Sequence, residues 1–327
     1  MPALTLRCAK LASFRSMASA GSLRFHVPVL VDEVVAAVAQ APPGAVVDAT
    51  VGGGGHASAL LEADASRTLL GLDRDPEALA EAARHLSRFA ARVRLEHADF
   101  RQVGQFVAPG SVAAVVFDFG VSSHQLDRIH RGFTVRPGAP LDMRMDPSSG
   151  GPTAADLLAD LSAEELARLF RRYGEEPRAR ALAWAIVRRR RRRPLQTSDD
   201  LLAVWQSVAR RPPRLREAAR LFQALRIAVN DELAAIDAAL PQAKQALQPG
   251  GVIVAIAYHS LEDRLVKRAF AAWSRGCRCP PRAPVCACGS RAEGEVVTRR
   301  PRRPSAAEVA LNPRARSARL RVWRKGA

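Results

Sequence analysis

The sequence predicts an α/β fold: a doubly wound, Rossmann-like parallel sheet that is interrupted by an all-helical segment. Between residues 45 and 119 short apolar runs alternate with helix-like stretches, and four glycines follow the first run. Such alternation is typical of parallel sheets, whose strands are joined by crossover helices. It stops near residue 122 and returns at residue 252, so the stretch between is predicted to be an insertion.

Four apolar runs are predicted to be buried strands, at residues 45–50, 68–73, 93–96 and 112–119. Residues 57–62 and 76–89 are predicted to be helices, and Pro76 takes the first-turn position that proline favours. Strand character returns at residues 252–258, after a turn at residues 248–251. The sheet is therefore predicted to draw on both ends of the chain.

The stretch between these two parts has almost no strand character. Apolar residues at three- and four-residue spacing predict helices over residues 154–173 and 176–193. A long helix is predicted over residues 221–247, before the sheet resumes. We therefore expect one domain formed by residues 26–126 and 221–327, with residues 127–220 as a helical insertion.

Charge indicates a polyanionic partner. The 327 residues carry a formal net charge of +18, which would be strongly self-repelling without such a partner. Nucleic acid is the first candidate and an acidic membrane surface the second. An arginine-rich composition throughout the chain explains part of the excess but not its clustering. No apolar run approaches the roughly 20 residues that a membrane-spanning helix needs.

The clearest cluster is a run of six arginines at the end of a predicted helix. Favourable charge at a helix C-terminus is worth about 1 kcal/mol and needs only one or two cations, so phosphate contact is the better interpretation. The low aromatic content, 5%, offers no evident platform for base stacking. The predicted RNA-binding residues are Arg188, Arg189, Arg190, Arg191, Arg192 and Arg193.

Residues 1–25 contain Lys10, Arg15 and Arg24 with several serines and no acid. This composition is typical of an organellar transit segment, which would place the protein in the mitochondrial matrix. A start codon set too early, with Met17 nearer the true beginning, explains it equally well. In that case we expect a cytoplasmic protein.

Four of the five cysteines are close together in the sequence, which is not the pattern of a disulfide scaffold and fits a reducing cytoplasm. Two Cys-x-Cys pairs separated by six residues suit a tetrahedral zinc site, although zinc ligands are usually spaced two residues apart. Thiols without metal and a pair of bridges are the alternatives. The candidate zinc ligands are Cys277, Cys279, Cys286 and Cys288.

Three acidic residues and the glycine run mark the predicted ligand site. Glycines between a strand and a helix let the backbone approach a ligand closely, although a flexible turn would look the same. Asp73 ends the second strand, where an acid can accept the ribose hydroxyls of a nucleoside; a helix-capping role is more natural for Asp75. Asp99 and Phe100 follow the third strand, where a carboxylate and an aromatic ring can hydrogen-bond and cover an adenine. Asp118 ends the fourth strand.

These positions fit either a nicotinamide enzyme or a methyltransferase. The turn at residues 248–251 before a late strand favours the second, because Rossmann-like methyltransferases enter their final hairpin in this way. At this point the residues carry a family resemblance. Over about residues 25–321 the chain resembles the ribosomal small subunit methyltransferase H family, in the segments HVPVL (26–30), DATVGGGGH (48–56), FDFGVSS (117–123), QLD (125–127), RGF (131–133), LDMRMD (141–146), FQALRIAVNDE (222–232), HSLEDR (259–264) and NPRARS (312–317).

The resemblance implies a class I S-adenosylmethionine methyltransferase domain, with a helical insertion that recognises RNA. It implies methylation of the exocyclic N4 of a cytidine in the decoding region of 16S rRNA, either free or in the small ribosomal subunit. His56 and Gln125 enter the cofactor set from the resemblance alone. The implied cofactor contacts are Gly54, Gly55, His56, Asp73, Phe100, Asp118 and Gln125.

An aromatic amine is a poor nucleophile, so we expect positioning to dominate catalysis, with Asp118 nearest the transferring methyl. His259 is a second candidate proton acceptor, or an RNA contact; the alternative is a helix cap formed by Ser260 and Asp263. Two rival functions remain: a non-catalytic rRNA-binding assembly factor and a DNA amino-methyltransferase, for which the prolines usual after Asp118 are missing. A homodimer is compatible with the sequence.

Overall fold

The structure, a computed structural model, describes residues 28–277, residue 279 and residues 288–327. The predicted extension at residues 1–25 and Cys286 lie outside the described residues. Within the described part of the chain, no helix is both long enough and apolar enough to cross a membrane.

A single sheet of seven strands, counted over the described residues, forms the centre of the fold. Its order is β3-β2-β1-β4-β5-β7-β6; β1 to β5 are mutually parallel, whereas β7 runs antiparallel to both of its neighbours. The strand order therefore reverses between β1 and β4, and ligands of open α/β sheets bind at such a point. The strands are β1 (Ala45–Asp48), β2 (Leu69–Asp73), β3 (Val93–His97), β4 (Val112–Asp118), β5 (Leu247–Ala257), β6 (Gly294–Val296) and β7 (Arg319–Lys325).

Helices cover both faces of the sheet, and the strand residues alternate between two cores. Along β4, Val115 and Phe117 pack into one buried cluster, whereas Ala114 and Val116 pack into another on the opposite face. Side chains of a strand alternate in this way, and burial on both faces explains the continuous apolar runs in the sequence. The helices around the sheet are α1 (Val31–Val38), α2 (Gly55–Ala63), α3 (Pro76–His85), α4 (Val103–Phe106), α5 (Ser123–Asp127), α11 (Glu232–Ala246), α12 (Ser260–Trp273) and α13 (Ala306–Leu311).

Five further helices between α5 and α11 have a hydrophobic cluster of their own. It extends from Phe133 to Leu225 and includes Phe170 and Trp205, both fully buried. These helices are α6 (Ala154–Asp160), α7 (Ala163–Gly174), α8 (Ala179–Arg190), α9 (Ser198–Ala209) and α10 (Leu215–Asn230). The boundary predicted at residue 220 falls inside α10, whose Leu221 and Leu225 belong to this cluster.

Two predicted helices were wrong in length because each is two helices. Ser162 interrupts the first: its hydroxyl accepts from Glu165 N and the Glu165 carboxylate accepts from Ser162 N, which is a capping box. Asp231 interrupts the second, because its backbone is left-handed (φ 49°) between α10 and α11. The late strand is longer than predicted and begins at Leu247.

Candidate active site

A solvent-open cleft with an empty volume of about 840 Å³ lies at the carboxyl ends of β1, β2, β4 and β5. Ligands of open α/β sheets bind at this edge, and it is the edge on which the sequence placed its candidates. Residues of the sheet edge, of α5 and of the segments after β5 and α10 line the cleft. They are Ala49, Thr50, Gly52, Asp73, Arg74, Ala78, Phe100, Asp118, Phe119, Gly120, Val121, Ser122, Gln125, Met145, Glu232, Ile236, Tyr258 and Glu262.

The glycine turn reaches the cleft through its first residue. Gly52 N donates a hydrogen bond to Asp73 Oδ2 (2.8 Å), which joins the ends of β1 and β2. Gly54 has a left-handed backbone (φ 83°) at the start of α2, and a Cβ on Gly55 would lie 2.8 Å from Pro28 Cγ. Gly54 and Gly55 thus sit where only glycine fits, but they are not among the residues that line the cleft.

His56 is not among the residues that line the cleft. Its ring is buried, with Nε2 2.9 Å from the Val29 carbonyl oxygen and Nδ1 3.9 Å from Asp118 Oδ2. A hydrogen bond from Nε2–H to the carbonyl leaves Nδ1 as the atom facing Asp118. The His56 imidazole therefore lies next to the Asp118 carboxyl group, beyond hydrogen-bond distance.

Three buried carboxyl groups at this edge have raised pKa values. Burial raises the pKa of Asp48 and of Asp73 to about 6, and that of Asp118 to about 7. Asp48 Oδ2 and Asp118 Oδ1 are buried and make no hydrogen bond of normal geometry among the described residues, although the adjacent Tyr258 hydroxyl partly offsets the rise in the pKa of Asp118. Because burial without a partner penalises an anion, the edge favours either a proton or a cationic ligand.

Phe100 packs against two further aromatic rings, Phe117 on β4 and Phe119 directly after it. Its ring lies 5.7 Å from that of Phe119, and Phe117 stacks behind at 5.3 Å from Phe119. Asp99, in contrast, does not line the cleft. It accepts from Arg101 N (2.9 Å) and pairs with Arg74 (3.4 Å), so its carboxylate is used to hold the loop.

Gln125 is held in the wall by a second hydrogen-bond network. Its Oε1 accepts from Ser122 N (3.0 Å) in the capping box that starts α5, and its Nε2 donates to Asp75 Oδ2 (2.7 Å). Asp75 also accepts a hydrogen bond from Glu77 N at the start of α3, which confirms the helix-capping role predicted for Asp75. The buried Arg131 Nη2 donates to the same Asp75 oxygen (2.9 Å).

His259 does not line the cleft, and the cap predicted beside it was wrong. The cap comes from Glu262, which accepts from Tyr258 N (2.8 Å) and His259 N (3.2 Å). Asp263 instead pairs with Arg321 on β7 (2.6 Å). The His259 ring lies 3.0 Å from Glu262 Oε1.

Sequence reasoning missed two acidic residues that line the cleft, Glu232 and Glu262. Arg226 binds Glu232 through two hydrogen bonds (2.8 and 2.9 Å). Although burial alone would raise the pKa of Glu262, the adjacent His259 and Arg226 lower it. The position of Glu262, three residues into α12, is that of a capping-box acid and was the one available sign.

The helical segment contributes Met145 to the cleft. Asn230 fixes that loop, since its Oδ1 accepts from Met145 N (2.8 Å) and its Nδ2 donates to the Met143 carbonyl (2.7 Å). The charged residues of the loop mostly pair with each other, as in Arg144 with Asp142 (2.7 Å). The site is thus built from both parts of the chain.

The arginine run divides into two groups. Arg189 pairs with Asp200 (3.4 Å), and Arg190 Nη1 donates to the carbonyls of Leu158 (2.8 Å) and Leu161 (2.7 Å) at the end of α6. These two side chains hold the helices together. The exposed members are Arg188, Arg191, Arg192 and Arg193.

Three of the four candidate zinc ligands converge. Ligand atoms of Cys277, Cys279 and Cys288 lie within 4.8 Å of one another, and the sulfurs of Cys277 and Cys288 are 3.8 Å apart. Cys286 is outside the described residues. Cys288 is thus brought next to Cys277 and Cys279.

The reversed strand order, the antiparallel β7 and the acidic cleft define a Rossmann-like α/β methyltransferase. The chain belongs to the MraW methylase family, whose model it matches over residues 24–326. It is 47% identical over 308 residues to "Ribosomal RNA small subunit methyltransferase H" of Heliobacterium modesticaldum, covering 92% of this chain and 98% of that protein. The protein of the same name from Thermomicrobium roseum is 48% identical over 302 residues, 91% of this chain and 92% of the relative.

The raised pKa of Asp118 predicts a pH-dependent stability difference between the wild type and an Asp118→Asn variant. The folded protein keeps the Asp118 proton up to about pH 7, whereas the unfolded chain loses it near 3.8. The contribution of Asp118 to the stability of the folded protein is therefore fully present below pH 3.8, and it is lost as the pH rises towards about 7. We expect the wild type's free energy of unfolding to fall relative to that of the variant by up to about 1.4 kcal/mol per pH unit.

Urea unfolding at a series of pH values, without cofactor, measures this difference. Asp237→Asn, at an exposed position on α11, is the matched control and should show no such trend. Parallel profiles for the wild type and Asp118→Asn would refute the prediction.

Proposed function

We propose that the protein transfers a methyl group from S-adenosylmethionine to the N4 amino group of a cytidine in the decoding region of 16S rRNA. The observation that carries this proposal is the cleft lined by Asp73, Phe100, Asp118 and Gln125, in a member of the MraW methylase family. The names of the relatives support small-subunit rRNA as the substrate. We assign the reaction to the cytoplasm.

The residues of the cleft fit S-adenosylmethionine. Each Asp73 oxygen accepts one backbone N–H, from Gly52 or Asp75, and keeps a lone pair for a ribose hydroxyl. Phe100 offers a ring face to the adenine. The carboxyl group of Asp118, which lines the cleft and whose pKa is raised by burial, suits a positively charged ligand. When bound, S-adenosylmethionine supplies a methyl group activated by a sulfonium.

In this proposal the glycine turn supports the methionine part. Gly54 and Gly55 shape the backbone at the start of α2, and the helix N-terminus favours a carboxylate. His56 acts through Asp118, from which it is 3.9 Å. Gln125 closes the wall from α5, at a distance fixed by Asp75.

Asp118 is the proposed catalytic residue. Asp118 lines the cleft, where its carboxylate can accept a hydrogen bond from the N4 amine, orient the amine towards the methyl and take its proton. With a pKa of about 7, Asp118 is partly ionised at neutral pH, as a general base should be. Glu262, kept ionised by His259 and Arg226, faces the same space and favours this proton transfer. His259 thus has a positioning role through Glu262.

Methyl transfer from labelled S-adenosylmethionine to small ribosomal subunits, free 16S rRNA and DNA, measured in parallel, tests the function. We expect label in RNA or subunits, at N4 of one cytidine, and none in DNA. Asp118→Asn should lower kcat by at least about 100-fold, because the amide cannot take a proton. Asp237→Asn is the control.

Label in DNA would favour the DNA amino-methyltransferase instead. RNA binding without any transfer would favour the non-catalytic assembly factor. Full turnover by Asp118→Asn would remove Asp118 from the mechanism while leaving the reaction assigned.

We also propose that the exposed arginines after α8 contact RNA phosphates. Replacing Arg191, Arg192 and Arg193 by glutamine should weaken RNA binding and reduce the slope of log K against log salt by as much as about 2, since each contact contributes about 0.7. Titrations over a range of salt concentrations measure this slope.

The control for this prediction removes the same charge elsewhere, by glutamine at the exposed Arg299, Arg300 and Arg303. An equal loss of slope in both triple variants would attribute the effect to net charge rather than to the run. Replacing Arg190 should instead lower thermal stability, because its two carbonyl partners at the end of α6 lose their donor.

A structural zinc at the cysteine cluster is a further proposal, supported by the convergence of Cys277, Cys279 and Cys288. We expect about one zinc per chain in reduced protein, since tetrahedral thiolate sites bind zinc as part of folding. Serine at all three positions should remove the metal, whereas Cys8→Ser should not. Metal analysis showing no zinc in reduced wild-type protein would end the proposal.

A further inference from the structure

α8 exposes a tryptophan, Trp184, that belongs to none of the hydrophobic clusters. Trp184 has 45% of its surface accessible, whereas only 1% of Trp205 and 0% of Trp323 is accessible. The fourth tryptophan, Trp273, packs edge-on against Trp323. A large apolar ring left in water forgoes the free energy that its burial would supply. The exposed part of the Trp184 side chain is therefore available for contact with a ligand.

The surroundings of Trp184 are cationic. Arg180 and Arg188 lie four residues before and after it, which places them on the same helix face, and both are exposed. The opposite face of α8 packs inward through Leu182 and Ile186. None of the twelve residues of α8 is acidic. We call Arg180, Trp184 and Arg188 the Trp184 stripe.

We propose that the Trp184 stripe is a stacking platform for an unpaired base of the RNA substrate, with Arg180 and Arg188 on neighbouring phosphates. This inference rests on the proposed function, since it takes RNA as the substrate. An aromatic face flanked by cations is the usual arrangement for single-stranded nucleic acid, where stacking is worth about 1–3 kcal/mol per base. It also continues the cationic surface towards Arg191, which follows α8 directly.

A protein partner fits the stripe less well. Protein docking sites are contiguous apolar patches, of several hundred Å² as a rough guide. Trp184 is the exposed large hydrophobic residue of α8, and its neighbours one turn away are arginines. Charge complementarity therefore favours a polyanion over a second copy of this basic chain.

Tryptophan fluorescence of the full chain tests the inference directly. We expect an unstructured single-stranded oligoribonucleotide to quench the emission of the wild type, and the RNA-dependent part to disappear in Trp184→Phe. Trp184→Leu, which keeps an apolar side chain without a ring face, should bind RNA roughly 5- to 150-fold more weakly, whereas Trp184→Phe should stay within about threefold. Leu311→Ala, at another exposed apolar position, should change nothing.

In methyl-transfer assays Trp184→Leu should raise KM for RNA and leave kcat at saturating RNA unchanged. Wild-type affinity in Trp184→Leu, or quenching that persists in Trp184→Phe, would overturn the inference. Loss of self-association in Trp184→Leu with RNA affinity intact would overturn it in favour of a second copy. Because quenching needs no turnover, a failure of the proposed function would appear separately, as RNA binding by a wild type that transfers no methyl.

Discussion

The buried carboxylate of Asp75 connects the two parts of the chain at the site. It caps α3 through Glu77 N, receives the side chain of Gln125 from α5 and receives the buried guanidinium of Arg131. Arg131 also donates to the Met145 carbonyl (2.8 Å), in the loop that brings Met145 to the cleft. A buried charge without these donors would cost several kcal/mol, so the network holds only when sheet, α5 and loop are all in position. The positions of Gln125 and Met145 in the cleft thus depend on the hydrogen bonds that the Asp75 network requires.

The other carboxylates of this edge are left incompletely satisfied. Asp48 and Asp118 each keep a buried oxygen without a partner, and their pKa values rise to about 6 and 7. Such groups reduce the stability of the ionised folded protein, and perturbed pKa values of this kind cluster at functional sites. A cationic ligand removes the penalty. The proposed function uses the same arrangement twice, as a source of binding energy for the methyl donor and as a base of suitable pKa for the acceptor.

The sheet could be predicted from the sequence because burial on both faces leaves an unbroken apolar run, as in β4, and the carboxyl ends of parallel strands share one edge. This logic located Asp73, Phe100 and Asp118 in the cleft. The helix break at Ser162 was also encoded locally, by Glu165 three residues later, and was overlooked. Glu232 and Glu262 could not be found in the same way. Their place in the cleft depends on how α11 and α12 pack, which no local pattern specifies.

The roles of the six arginines at residues 188–193 also depend on tertiary packing, which the local sequence does not specify. As a sequence, residues 188–193 are six equivalent cations, and composition alone predicts a uniform phosphate-binding surface. In the fold, Arg190 turns inward because the carbonyls at the end of α6 lack donors there, and Arg189 meets Asp200. Identical arginine side chains therefore either stabilise the helical segment or remain exposed, depending on whether a hydrogen-bond acceptor lies nearby. Trp184 is the complementary case: low aromatic content argued against stacking, yet a single ring between two arginines is enough for one base.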